Sequence, residues 1–341
     1  MPGLNIPEPA HRPLFAAGIV GALCPGGRPL DPGQQSVLDA IRAAFREGVT
    51  GETQAEVAAL PPVEPAPAAE VAAVLGEKER YVLAHAVVAL ELIAHPLDPA
   101  VEQHARRYLG ELGVHAAHQS LCKETARGEL ALLHADFIRH SWTTEVTLQE
   151  GFRHGRLLEL ARSKAAYYGL GGEPAVARRW EALTSCPDGS WGNAVAEFYA
   201  LHRFPFPGEP HGIYEVGAAH DWVHVLCDYG TDPEGEIEVF GFIAGASDDP
   251  KAFVSFAFTL ALFQNASVTT VGGKKVAIAR ADTLAEPGAA DRFADALRRS
   301  MSATADVIAL DHFSYADVAL DEARVRFGIV PKAVPGPGWR D

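Results

Sequence analysis

Apolar residues recur at helical spacing along most of this chain, and this periodicity constrains the fold more than any other feature of the sequence. Val37, Ile41 and Phe45 are four residues apart and would form one inward-facing stripe of a helix. Asp31-Pro32, just before them, is typical of a helix start. Glu77–His95 carries a similar run of apolar residues. The pattern predicts a mainly α fold.

The second half of the chain has the same character. The main exception is Ser267–Ile278, whose Gly272-Gly273 pair allows either a β-hairpin or a loop between two helix ends. Helices are predicted over residues 157–168, 175–183, 191–201, 216–229, 234–245, 252–265 and 289–308.

Prolines divide the first part of the chain. Residues 60–70 contain four prolines, which prevent helix continuation and favour an extended loop. After the helix at 77–95, Leu97-Asp98-Pro99 predicts the start of another helix, and Gly113 predicts its end. The first third therefore forms a small helical module.

Charge and cysteine content exclude several classes of function. The 29 Lys and Arg residues against 44 Asp and Glu residues give a net charge of −15, which disfavours nucleic acid as a partner. The four cysteines form no C-x-x-C pair, which disfavours a sulfur-ligated zinc site and a redox dithiol. No secretory signal precedes the first helix, and the longest apolar stretches, Leu14–Cys24 and Ala252–Phe263, are shorter than the roughly 20 residues of a membrane span. We expect a cytoplasmic protein without a transmembrane segment, which still allows peripheral membrane contact.

One segment carries a pattern typical of metal ligands. His220 and His224 are four residues apart, so on a helix they share a face, and Asp221 lies beside them in one polar patch. Thr231-Asp232-Pro233-Glu234 predicts the start of a second helix after a short loop, which would bring Glu236 back to the two histidines. Two imidazoles and two carboxylates suit one divalent cation of zinc, iron, manganese or cobalt.

Other polar residues have weaker patterns. Asp228, one turn beyond His224, is predicted either to hold an imidazole or move a proton, or to be a solvated carboxylate at a helix end; Tyr229 is a candidate of the same kind. His115 and His118 are three residues apart, but the nearby carboxylate, Glu111, lies across the predicted helix end at Gly113. His134 and His140, with Asp136 between them, do not share a helix face, and we interpret both groups as incidental.

The motif His220-Asp221-x-x-His224, followed by eleven residues and Glu236, resembles the signature of the ubiquinone (coenzyme Q) biosynthesis protein four family. Two further segments are similar to that family: Gly189–Phe206, with an aromatic helix, and Leu320–Pro331, with a G-I-x-P exit. The resemblance covers residues 128–341. It leaves residues 1–127 as the separate helical module, with its proline-rich loop at 60–70.

The resemblance implies a larger α-helical domain that holds a divalent metal on the four motif residues. It also implies a hydrophobic channel for a polyprenyl quinone precursor, for which Trp222, Phe253, Phe256 and Leu260 are the candidate lining residues. The activity implied is the oxidative decarboxylation of a prenylated hydroxybenzoate-type ring, or hydroxylation at a ring carbon. Other biosynthetic enzymes are the implied protein partners.

The first module has a resemblance of its own. The segment Glu91–Val114 is similar to the helical domain of tellurite-resistance TerB-like proteins, with the acidic turn between helices reduced to Pro-Leu-Asp-Pro. This resemblance implies a helical fold and no particular function.

Three hypotheses for the function follow. The first is a metal-dependent enzyme of quinone or related aromatic metabolism. The second is a lipid or quinone carrier, or a scaffold for a biosynthetic complex, in which the metal is structural. The third is a metal phosphohydrolase, which would need additional distant ligands that the sequence does not indicate.

Overall fold

The computed structural model describes residues 7–50, 61–114, 119–127, 165–247, 249–266, 270–271, 274–275 and 281–341. The described residues are mainly helical, which confirms the predicted fold class. Residues 157–164 of the predicted helix at 157–168 lie outside the described residues, as do His115, His118, His134, Asp136 and His140, whereas residues 165–167 are helical.

The first part of the chain is an array of helices with short connections. Its helices are α1 (Arg12–Leu23), α2 (Pro32–Thr50), α3 (Ala68–Val74), α4 (Glu77–Ile93), α5 (Pro99–Glu111) and α6 (Gln119–Arg127). The predicted end of α5 is confirmed, because Gly113 takes a left-handed φ of 72° and the following amide, Val114 N–H, donates to the Leu109 carbonyl.

The prediction of a proline-rich loop over residues 60–70 is wrong at its far end. Residues 61–67 have no regular structure, but α3 begins at Ala68. Pro67 occupies the N-cap position with extended backbone, and the alanines and glutamate that follow favour a helix. The loop is therefore shorter than the composition indicated.

The second part carries α7 (Pro174–Glu181), α8 (Trp191–His202), α9 (Ala219–Cys227), α10 (Pro233–Ala246), α11 (Pro250–Phe263), α12 (Ala289–Ser300) and α13 (Leu320–Arg326). The predicted helix at 289–308 ends early, at Ser300. The Ser300 hydroxyl donates to the Leu297 carbonyl, and a Ser- and Thr-containing turn follows, since these side chains compete with the helical hydrogen bonds.

Two short strands lie within Ser267–Ile278, the segment predicted to be an exception to the helical pattern. Strands β1 (Thr270–Val271) and β2 (Lys274–Lys275) pair antiparallel, with Thr270 opposite Lys275. This pairing favours the hairpin over the alternative of two helix ends.

In the described part of the chain, two clusters of buried side chains form the interior. The first joins α1, α2, α4 and α5 to α10, α11 and α12, so that Phe15 and Val37 share one core with Phe256 and Phe293. Polar bonds follow the same junction: the side chains of Gln264 and Asn265 donate to the carbonyls of Ile93 and Leu92 at 2.7 Å each. The predicted boundary between residues 127 and 128 thus does not coincide with a break in the core, although the chain on its far side lies outside the described residues.

The second cluster surrounds α8, α9 and α10 and is rich in aromatic rings. Trp222 of α9 contacts Trp180 and Trp191 edge-on and stacks on His312 at a centroid distance of 5.4 Å. This packing buries one face of α9 and fixes the rotation of the helix about its axis. No helix in the described ranges has both the length and the apolar character that crossing a membrane requires.

Candidate metal centre

Two consecutive helices carry the four predicted ligands. His220, Asp221 and His224 are on α9, and Glu236 is in the opening turns of α10. Asp232 is the N-cap of α10 and accepts a hydrogen bond from the Gly235 amide at 2.6 Å, which confirms the predicted helix start. Helix α9 is shorter than predicted: it runs over 219–227 rather than 216–229.

Three of the four side chains, those of His220, Asp221 and His224, form one cluster, and Glu236 lies against the two imidazoles. His220 Nε2 lies 3.3 Å from Asp221 Oδ1 and 3.9 Å from Glu236 Oε2, and His224 Nε2 lies 3.5 Å from Glu236 Oε1. One ligand atom from each of His220, Asp221 and His224 falls within 4.8 Å of the others, and the described part of the chain holds no second group of three such residues with this spacing. The two helices thus bring the four predicted residues close together, and their role as metal ligands stays a prediction.

Backbone carbonyls orient both imidazoles. His220 Nδ1 donates to the Gly217 carbonyl at 2.5 Å, and His224 Nδ1 donates to the Tyr229 carbonyl at 3.3 Å. Each ring therefore keeps its Nε2 lone pair for the centre, which is how metal-binding histidines are usually held. His224 Nε2 is buried and has no hydrogen-bond partner, an arrangement that costs free energy unless a cation or a proton occupies the centre. The residues present thus fit a divalent cation.

Tyr199 is a site residue that sequence reasoning missed. Its hydroxyl, on α8, donates a short hydrogen bond to Asp221 Oδ2, which leaves Oδ1 facing the histidines. Tyr199 is 1% exposed, and burial, followed by the Asp221 carboxylate, raises its pKa well above the usual value. The only sequence signal was a hydroxyl on an otherwise apolar helix face.

The charges of the centre stabilise each other. Burial disfavours the charged form of both His224 and Glu236, but their mutual attraction is stronger. The Glu236 carboxylate, together with Asp221, raises the pKa of His224, and the two imidazoles lower the pKa of Glu236. The same two carboxylates that raise the pKa of His224 would attract a divalent cation to the centre, and cation binding would compete with protonation of the imidazole.

Of the two predicted roles of Asp228, the structure favours the second, a carboxylate at a helix end. Asp228 takes a left-handed φ of 61° directly after α9, which turns its side chain off the helix face. Its Oδ1 accepts from the Trp339 amide at 3.3 Å, and its Oδ2 lies 3.8 Å from Lys332 Nζ. Tyr229 contributes to the centre through its carbonyl alone, since its ring lies under Arg299 at 4.9 Å.

The four residues predicted to line a channel divide between different places. Phe253 and Phe256 line an apolar cavity of about 60 Å³, together with Phe15 and Phe45. Trp222 instead belongs to the aromatic cluster behind α9, and Leu260 is a fully buried core residue that does not line this cavity. Only two of the four residues line this cavity, because the helical rotation of α9 and α11 directs Trp222 into one core and the other three residues into the other.

The fold and the site together define a mainly helical protein with a two-histidine, two-carboxylate candidate metal centre. No family model matches the chain, and neither the curated proteins nor the solved structures contain a match.

Proposed function

We propose that the chain is a metal-dependent enzyme of quinone or related aromatic metabolism, with one divalent cation held by His220, Asp221, His224 and Glu236. The observation that carries the proposal is that both imidazoles are tied through Nδ1 to carbonyls, while each Nε2 faces a carboxylate. Zinc, iron, manganese or cobalt would suit this mixed nitrogen and oxygen set.

The proposed reaction is the (oxidative) decarboxylation, or the hydroxylation, of a ring carbon in a prenylated hydroxybenzoate-type substrate. Decarboxylation leaves negative charge on the ring and its oxygen, and a bound divalent cation would supply Lewis acidity for that charge. Hydroxylation and oxidative decarboxylation would also need dioxygen as the oxidant and a redox-active ion such as iron, because zinc has no redox chemistry. Tyr199 holds the Asp221 carboxylate in place, and the two carboxylates keep the centre attractive to a cation. The side chains of His220 and Glu236 are 15% and 20% exposed, so a substrate can approach from their side.

Helix α10 supports an aromatic and apolar substrate. Glu236, Phe240 and Ala244 follow each other at four-residue spacing and share one helix face. Phe240 stacks on the His220 ring at a centroid distance of 5.3 Å, and Ala244 lines the apolar cavity. This helix face connects the candidate centre to the apolar cavity, whose apolar lining suits an isoprenoid tail.

The alternative is a lipid or quinone carrier, or a scaffold that binds other biosynthetic enzymes, with a structural metal. The burial of His224 and Asp221, at 0% and 6% exposure, favours this alternative, because structural metals are usually closed off from solvent. The two proposals differ in whether the metal is needed for turnover or only for the fold.

The test is elemental analysis of the purified protein by mass spectrometry, beside the variants His220→Ala and His224→Ala. His104→Ala is the matched control, since His104 bonds to the Gly21 carbonyl on a helix that carries none of the four ligands. We expect about one equivalent of metal in the wild type and the control and none in the site variants, with circular dichroism showing that all remain folded. Absence of metal from the wild type after reconstitution would overturn the proposal.

Turnover then separates the two functions. Metal-loaded wild type, incubated in air with a prenylated hydroxybenzoate, is expected to release carbon dioxide or to form a hydroxylated ring, and His220→Ala is expected to do neither. Binding of the prenylated ring without any turnover, unaffected by His220→Ala, would instead establish the carrier.

A further inference from the structure

The segment of residues 330–341, which we call the strap, crosses the loop between the two ligand-bearing helices. That loop, residues 228–232, is called the ligand loop. We propose that the strap positions the ligand loop and thereby orients His224 for metal binding, with Asp228 as the positioning residue that joins the two. This inference rests on the metal site proposed above and deepens it.

The ligand loop determines where His224 points. The Tyr229 amide donates to the His224 carbonyl at 3.0 Å, and the Tyr229 carbonyl accepts from His224 Nδ1 at 3.3 Å. Both bonds require the chain to turn sharply at Asp228, which it does with a φ of 61°. Only a few per cent of residues other than glycine take this conformation, and although aspartate is among those that take it more often, contacts from elsewhere stabilise it.

The strap supplies those contacts. The Trp339 amide donates to Asp228 Oδ1 at 3.3 Å, and Lys332 Nζ lies 3.8 Å from Asp228 Oδ2. The strap backbone comes so close at Gly338 that a Cβ atom there would lie 2.3 Å from Asp228 Oδ1. Trp339 itself is 4% exposed and packs into the second core cluster, so this end of the strap is fixed.

His202 makes a second connection between the strap and the ligand loop. Its Nε2 donates to the Trp339 carbonyl at 3.0 Å, and its Nδ1 lies 3.5 Å from the Thr231 hydroxyl. His202 also contacts the Phe198 ring edge-on, and the Phe198 ring stacks on His224 at a centroid distance of 5.8 Å. The strap therefore contacts the ligand loop directly at Asp228 and, through His202, at Thr231.

The other end of the strap is anchored on α12, where Arg299 also lies 4.9 Å from the ring of Tyr229 in the ligand loop. Arg299 Nε donates to the Val330 carbonyl at 2.8 Å, and Asp295 Oδ2 accepts from the Ala333 amide at 2.9 Å. Asp295 and Arg299 are both 3% exposed, so these bonds are made in the protein interior. The strap is therefore fixed to α12 by buried hydrogen bonds, and this attachment allows it to position the ligand loop.

Two glycines of the strap provide a matched pair of variants. In Gly338→Ala the added methyl meets the Asp228 carboxylate, whereas in Gly336→Ala it meets the Arg292 side chain, which pairs with Glu238 and not with a residue of the ligand loop. The measurement is the dissociation constant for Co²⁺, followed by the visible absorption bands of the bound ion, with the thermal melting of the metal-free proteins as the check on folding. We expect Gly338→Ala to weaken Co²⁺ binding at least tenfold and to change the absorption spectrum, and Gly336→Ala to change affinity less than threefold.

Asp228 itself gives a second test that does not depend on a steric clash. Asparagine tolerates the left-handed conformation and keeps an acceptor for the Trp339 amide, whereas alanine does neither. Asp228→Asn is therefore expected to bind Co²⁺ within threefold of the wild type, and Asp228→Ala at least tenfold more weakly. Wild-type affinity and spectrum in both Gly338→Ala and Asp228→Ala would overturn the role of the strap, whereas failure of the wild type to bind any Co²⁺ would overturn the proposed metal site instead.

Discussion

At the scale of single residues, the candidate centre depends on the partners of its ligands as much as on the ligands. Each imidazole is fixed through Nδ1 by a carbonyl, and Asp221 is fixed by Tyr199. A hydrogen bond to a charged group contributes about 1.5–3 kcal/mol, so a buried carboxylate that loses such a donor destabilises the folded protein by a similar amount. These partners are therefore the most informative positions to change.

Tyr199→Phe keeps the packed ring and removes the donor to Asp221. We expect roughly tenfold weaker metal binding, together with a lower melting temperature of the metal-free protein. The measurements are a Co²⁺ titration and thermal unfolding. Tyr108→Phe is the control, because the buried Tyr108 hydroxyl donates to the Ala66 carbonyl in the other core. It should lower stability and leave metal affinity unchanged; equal metal affinity in both variants would contradict the role of Tyr199.

Glu91 should make stability depend on pH. Burial raises its pKa to about 8, opposed by a hydrogen bond from Cys122 and reinforced by Glu102, from an ordinary value of 4.5. The folded state therefore binds a proton that the unfolded state releases, so the stabilising effect is complete below about pH 4.5 and is lost as the pH rises to about 8.

The variant Glu91→Gln removes this titration. We expect Glu91→Gln to be more stable than the wild type at pH 8, by up to a few kcal/mol, and the difference to shrink toward pH 5. Urea unfolding across this pH range measures it. Glu111→Gln, at an exposed position on α5, should follow the wild-type profile. A constant difference between Glu91→Gln and the wild type at all pH values would contradict the assignment.

At the scale of secondary-structure elements, the centre is a pair of helices and the turn between them. Asp232 starts α10, and Glu236 follows within its opening turns, so the cap and the ligand are part of one short unit. The left-handed residue Asp228 ends α9 at the point where His224 needs the Tyr229 carbonyl. The ends of these helices thus set the geometry more than their middles do.

Asp232→Ala removes the cap of α10. We expect a loss of about 1 kcal/mol of stability and severalfold weaker metal binding, because the first turn, which precedes Glu236, frays. Asp98→Ala is the matched control: Asp98 caps α5 by accepting from the Ala100 amide at 2.8 Å, far from the centre in sequence. Thermal unfolding and Co²⁺ titration should show a similar loss of stability in both variants and a loss of affinity in Asp232→Ala alone.

At the scale of the whole molecule, one core joins the first helices to α10, α11 and α12. Ser36 of α2 donates to Asp291 Oδ1 of α12 at 2.6 Å, and Phe256 of α11 shares its cluster with Phe15 of α1. A shared core couples the unfolding of the elements that contribute to it. The helical module in front is therefore expected to unfold together with the helices behind the metal centre.

Phe256→Ala tests this coupling. Removing a core phenylalanine costs about 3–5 kcal/mol, and we expect the lower value because Phe256 already borders a cavity. Calorimetry should show one transition that shifts as a whole to lower temperature. Two transitions, of which only one shifts, would instead establish the predicted boundary near residue 127 as a boundary between independent folding units.

Contacts between residues that are close along the chain could be predicted from the sequence alone. Helical spacing brought His220, Asp221 and His224 within one turn of each other, and a short capped loop returned Glu236 to them, since both relations are set by local backbone geometry. The tertiary structure alone decided that Tyr199 holds Asp221, that Asp228 faces the strap, and that Trp222 and Phe253 lie in different cores. These relations join residues far apart in the chain, and they depend on how each helix is rotated and packed, which no local spacing specifies.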